Sequence, residues 1–224
     1  FRKTNTDFAT VVTQSVFLNA AADCEINFCA AKVGPTGNVL SEPGIDRILA
    51  SSKGWSAPGY TDAYIESTIK PNSSWDPSKY CNIWILSFSD GITLGYAQFP
   101  GGASATDGVV ILNTGFGRTG TAAAPFNKGR TATHEVGHWL NLRHIWGDAT
   151  CGSDLVSDTP THNTANYGCP AAGHKSTCTG TPIEMTMNYM DYTDDACMYM
   201  FSSGQKSRIL ATFATGGPRA SFAQ

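Results

Sequence analysis

The sequence predicts an α+β fold in a single domain spanning residues 1–224, with a regular upper half over about 1–141 and an irregular lower half over about 142–224. Three features carry that reading. Strand-like apolar runs crowd between residues 80 and 117. A single amphipathic helical stretch, TATHEVGHWLNL, follows them. The chain over 145–201 then loses periodicity almost entirely, yet it holds four of the seven cysteines. A length of 224 residues is enough to bury a substantial core. At 41% hydrophobic and 15% charged residues, the composition is globular.

Taken in order, FATVVTQSVFLNAAA at 8–22 has apolar residues at helical spacing and is expected to be a helix. CEINFCAAKV at 24–33 reads as a strand, ended by GPTGN. Residues 41–78 are rich in Ser, Gly and Pro and are expected to be irregular, with short elements. YCNIWILSFS is a buried strand bounded by Asp90-Gly91, ITLGYAQFP a second ended by Pro-Gly-Gly, and GVVILNTGFG a third. The amphipathic helix comes next, with Val136 and Leu140 on its apolar side. SGQKSRILATFA closes the regular structure as a last helix, with Ser202 or Ser203 as its cap.

Charge and hydropathy exclude two classes of partner. The net charge is −3, from 15 basic and 18 acidic residues in no long blocks, which argues against binding nucleic acid through its phosphates. The longest apolar run, around Ile83–Phe88, is far short of the ~20 residues that span a bilayer. The polar FRKTNTDF start reads as a processed terminus, so a missing signal peptide does not argue for the cytoplasm. Cys151, Cys169, Cys178 and Cys197 lie in the irregular stretch and are expected to form two disulfides, for which three connectivities are open. Cys24, Cys29 and Cys81 lie in strand-like runs and read as small buried hydrophobes.

The chemistry concentrates in HEVGHWLNLRH, residues 134–144, which holds three of the five histidines. On a helix, His134 and His138 are separated by about 40° of rotation and ~6 Å of rise, so both imidazoles leave one face. Were the helix to continue, His144 would point about 240° away from His138. It can join them only if the chain breaks near residue 141. That break needs a left-handed residue, which glycine adopts freely and asparagine tolerates best among the others. Asn141 therefore keeps the geometry. Three neutral nitrogens and one open position make a catalytic rather than a structural zinc site. Zinc lowers the pKa of its water and polarises a carbonyl, and Glu135 is placed to take the water's proton.

HEVGHWLNLRH resembles the long zinc motif of the metzincins, HExxHxxGxxH. GRTATHEVGHWLNLRHIWGD, the downstream MNYMDYTDDACMYMFSSGQ, LGYAQFPGG and DGVVILNTGFG are similar to the pappalysin family, and this likeness covers most of residues 80–212. The resemblance implies a secreted zinc endopeptidase made as a zymogen. Its fold would be a zincin domain with a twisted, mostly parallel sheet, an antiparallel edge strand and an active-site helix above a disulfide-stapled lower part. His134, His138 and His144 match the zinc ligands and Glu135 the general base. Met190 matches the methionine of the turn beneath the metal. Tyr192 matches a tyrosine that stabilises the oxyanion, a role for which a phenol is a suitable donor.

The resemblance also pairs Cys151 with Cys178 and Cys169 with Cys197. It makes Gly95, Tyr96 and Ala97 part of an edge strand that binds substrate main chain. GSDLVSDTPT is similar to a calcium loop, with Asp154, Asp158, Thr159 and Thr161 as candidate ligands. Asp195, in MDYTDDAC, is a candidate carboxylate for a basic side chain just after the cut. Substrates are expected to be polypeptides and the chain a monomer. From other classes, a non-catalytic extracellular module holding zinc or calcium is the alternative. An amide hydrolase acting on non-peptides is disfavoured by the Met190 turn and the edge strand.

Overall fold

The structure, a computed structural model, describes residues 16–223. Its centre is a three-stranded sheet of β2 (Ile83–Leu86), β3 (Gly95–Ala97) and β4 (Val109–Leu112), in the order β2-β4-β3. β2 runs parallel to β4, with Ile83 opposite Val109, and β3 runs antiparallel to β4 at the edge, with Tyr96 opposite Val110. The sheet is thus mixed, and a parallel bridge between Tyr60 and Phe88 extends its parallel side. The strands are shorter than the apolar runs that predict them: Asp90–Thr93 turns between β2 and β3, and beyond the strand ends only single backbone bonds continue, such as Gln98 N–H to the Gly108 carbonyl at 3.0 Å.

The central strand is buried on both faces, and its alternation sorts the core. Val109 and Ile111 face α2 (Arg130–Trp139) and pack in one cluster with Val136, Trp139 and Leu140. Val110 faces the other way, onto Ile65 and Ile69. Those two belong to a π-helical stretch, Ile65–Ile69, that continues α1 (Asp62–Tyr64), which is capped by the Thr61 hydroxyl. The back of α2 is tied down by a buried cluster. Asp107 accepts from Trp139 Nε1 at 3.2 Å and from Arg219 Nη2 at 2.8 Å, and the Arg219 guanidinium sits 4.0 Å over the Trp139 ring.

Below α2 the chain is mostly turns. Disulfides Cys151–Cys178 and Cys169–Cys197, each with a Cα–Cα distance of 5.7 Å, close two overlapping loops there. α3 (Ser203–Ala211) follows β5 (Phe201–Ser202) and starts in a capping box, in which Ser202 and Gln205 each satisfy the other's backbone. Gln205 also exchanges two side-chain hydrogen bonds with Asn188, at 2.7 and 3.0 Å, bracing the turn that carries Met190.

The N-terminal expectations fare differently. The helix expected over 8–22 lies mostly outside the described residues, and of its described end only residues 16–17 are helical, in 3-10 geometry. Residues 18–20 are turns, and Ala21–Ala22 form the two-residue β1, paired antiparallel with β5. CEINFCAAKV is not a strand. Glu25 takes φ +59°, which breaks the extended run, and only Val33 pairs, in an isolated bridge to Val39. Cys24 is buried and Cys81 partly so, but Cys29 is exposed, so it is not a core residue.

Candidate active site

Three backbone events bring the site together. α2 carries His134 and His138 on one face, both buried. The helix then stops at Trp139, and Asn141 takes φ +73°, the left-handed conformation that the spacing to His144 demands. The reversal is stitched by Leu142 N–H donating to the Gly137 carbonyl at 2.9 Å. His144 returns on the far side, and its Nε2 and that of His134 each lie 3.1 Å from the Nε2 of His138.

The other ring nitrogens fix the tautomers. Nδ1 of His134 donates to the Tyr189 carbonyl at 2.7 Å, and Nδ1 of His138 to the Leu142 carbonyl at 2.8 Å. Nδ1 of His144 faces Asp148 Oδ1 at 2.5 Å. Carbonyls and carboxylates only accept, so each Nδ1 holds the proton and each Nε2 turns a lone pair toward a common point. This donor set fits zinc, whose bonds to nitrogen are about 2.0–2.1 Å long. Among the described residues, these three form the single such group of candidate ligands. Burial, with repulsion from the neighbouring imidazoles, holds His134 well below the usual histidine range and lowers His138 to about 4. His144 is also lowered, chiefly by burial. The site therefore keeps its nitrogens unprotonated, as a metal needs.

Glu135 is buried and its carboxyl is pushed up to about 8 by desolvation. The edge strand runs beside it, and a Cβ added at Gly95 would come 3.0 Å from Glu135 Cγ. Ala97 packs against the main core, whereas the Tyr96 ring turns to the opposite face, where its hydroxyl donates to Glu66 at 2.8 Å. Tyr192 reaches the metal point from below, with its hydroxyl 3.0 Å from His144 Nε2. Burial first, then the charges of Glu135 and Asp148, push its phenol up to about 12, so it remains a donor near neutral pH. Met190 is fully buried beneath the histidines, and its sulfur occupies the space that a side chain at position 137 would need.

The remaining candidates lie further out. Asp195 is buried at the start of α2 and accepts from the backbone N–H groups of Lys128 and Arg130 at 2.7 and 3.2 Å. That is where a carboxylate complements the helix dipole. Asp154 accepts from Thr159 Oγ1 at 2.9 Å, and Asp158 accepts from Ser202 Oγ at 2.6 Å and from Gly204 N–H at 2.8 Å. Thr161 is exposed. Sequence reasoning missed Asp148 and Arg208. Asp148 lies four positions after His144, a helical spacing in a non-helical segment, so nothing in the pattern singled it out.

Residues 63–214 match the family model Peptidase_M43, described as pregnancy-associated plasma protein-A. An extracellular metalloprotease of Pyricularia oryzae is 41% identical over 142 residues, covering 61% of this chain and 49% of that protein. An extracellular metalloprotease of Arthroderma benhamiae is 31% identical over 198 residues, covering 79% and 72% respectively. The chain spans about half the length of several of these curated relatives, 49% and 48% in two fungal cases. Mature mirolysin of Tannerella forsythia, solved with a cleaved peptide, superposes with a TM-score of 0.85 at 41% identity, over 97% of this chain and 81% of that one. A promirolysin variant from the same organism gives 0.82 at 40% identity, over 97% and 71%.

Proposed function

The chain belongs to the pregnancy-associated plasma protein-A family of peptidases and has a mirolysin-like metzincin fold, and from that premise we propose that it is a zinc-dependent endopeptidase cutting extended polypeptides outside the cell. The observation that carries the proposal is the convergence of three Nε2 lone pairs, each fixed by an acceptor on Nδ1, beside a buried glutamate and an open strand edge. Zinc, when bound, supplies Lewis acidity that makes water nucleophilic and polarises the scissile carbonyl. Glu135 accepts the proton of the attacking water and returns it to the leaving amine. Tyr192, held neutral, donates to the oxyanion. β3, through Gly95, Tyr96 and Ala97, offers its free edge to the substrate main chain as an added strand.

Finer parts of the reading have their own support. A preference for Arg or Lys just after the cut rests on Asp195, whose buried carboxyl is raised by desolvation and would gain from a cationic partner. Calcium at the 152–161 loop rests on Asp154, a buried carboxylate beside the Thr159 hydroxyl. Secretion rests on the extracellular relatives and a removable pro-segment on the promirolysin relative; action as a monomer with one catalytic domain completes the reading.

The test is casein hydrolysis before and after zinc chelation and after zinc reloading, followed by cleavage-site profiling on a peptide library. Activity lost with the metal and recovered with it is the expected result. Stoichiometric zinc with no cleavage of any peptide would instead favour a binding module. Cleavage indifferent to the following residue would remove the basic preference alone, and a melting temperature unmoved by calcium would remove the calcium site alone.

A further inference from the structure

His144 differs from the other two ligands in how its ring is held. His134 and His138 stand on α2 and donate to backbone carbonyls. His144 stands in the returning loop and donates to a carboxylate, Asp148 Oδ1, at 2.5 Å, while the Trp146 indole stacks on its ring with centroids 4.3 Å apart and 7° between planes. Asp148 sits at φ +58°, a conformation that glycine adopts without steric cost. The chain nonetheless presents there a side chain whose carboxylate meets the imidazole.

We propose that Asp148 is a positioning residue for the metal: it locks the Nδ1–H tautomer of His144 and, as the one carboxylate among the described residues hydrogen-bonded to a ligand ring, strengthens the grip of Nε2 on zinc. The inference rests on the zinc-site reading above. The Asp148 side chain is 61% exposed, and an exposed pair of this kind contributes little to folding. Its effect falls on the metal instead. A cation on Nε2 makes the Nδ1 proton more acidic, and the hydrogen bond to the carboxylate becomes charge-assisted. Partners in this position typically change metal affinity by about 10–100-fold.

The experiment measures zinc affinity with a competing chelator, and the rate of zinc transfer to it, for the native protein, Asp148→Gly and Asp148→Asn. Glycine removes the carboxylate without straining a left-handed position, and asparagine keeps an acceptor but not the charge. Expected are zinc binding weakened about 10–100-fold in Asp148→Gly, partial recovery in Asp148→Asn, and an unchanged melting temperature for both metal-free variants. Asp148→Gly binding zinc within twofold of native would overturn the proposal. So would equal weakening in both variants together with a lowered metal-free melting temperature, which would assign Asp148 to loop structure. A native protein that binds zinc tightly but cleaves no peptide would overturn the peptidase reading and leave this one standing. One that binds no zinc would overturn both.

Discussion

Arg208, on α3, donates from Nε to the backbone carbonyl of Asn141 at 2.7 Å, and its Nη2 lies 3.4 Å from the Asn141 side-chain oxygen. The C-terminal helix therefore holds the reversal on which the third ligand depends. Asn141 at φ +73° costs about 1 kcal/mol relative to glycine in backbone strain. Asn141→Gly would remove that strain, but glycine's freer unfolded chain offsets it by roughly 0.4–1 kcal/mol. We expect near-neutral stability, within about 4 °C in melting temperature, with zinc retained because Arg208 still holds the carbonyl. Asn141→Val puts a branched side chain in a left-handed position and is expected to lower both melting temperature and zinc content. A valine variant matching the glycine variant in both measurements would refute the account of the turn.

Gly95 is the closest approach of the edge strand to the base. A Cβ there would come 2.7 Å from the Val110 carbonyl and 3.2 Å from Glu135 Oε1, and the sheet can yield only by moving the strand or the carboxylate. Misplacing a reacting group by ~1 Å can cost on the order of 100-fold. We expect Gly95→Ala to lower kcat/KM by about 10–100-fold on peptide substrates while zinc content stays native. Native kinetics in this variant would mean that Gly95 does not shape the site.

The zinc-free protein should show opposed pH effects. His138, lowered to about 4, and His134, held well below the usual histidine range, refuse protons that the unfolded chain takes up near pH 6.5. Their contribution is present above that pH and is lost as pH falls toward 4. Glu135 runs the other way. Its carboxyl is pushed up to about 8, so its contribution is full below about pH 4.5 and is lost as pH rises through 8. Metal-free Glu135→Gln should therefore be more stable than native at pH 8, by up to a few kcal/mol at ~1.4 kcal/mol per pKa unit, and no more stable at pH 4. Denaturant unfolding at both pH values measures this. Equal stability at pH 8 would show that the buried carboxyl is not strained.

How far the sequence reaches depends on how local the cause is. The zinc motif is legible because helical spacing and one left-handed residue fix three histidines over eleven positions. Strands 83–86, 95–97 and 109–112 are legible because apolar runs between turn residues have few alternatives. CEINFCAAKV misleads because its alternation is real, but Glu25 bends the backbone and only Cys24 is buried. The lower half follows no period. Its order comes from distant partners such as Gln205 with Asn188, Arg208 with Asn141 and Asp195 with the start of α2, separated by 17 to 67 residues. Pairings at such distance leave no repeat to read.

The most direct test of the central claim is zinc content and peptide cleavage measured on the same preparation of Glu135→Gln. The account predicts close to one zinc per chain, held by His134, His138 and His144, with cleavage reduced by about 100–10,000-fold, the range for loss of a general base. A variant that keeps its zinc and cleaves at the native rate would contradict it.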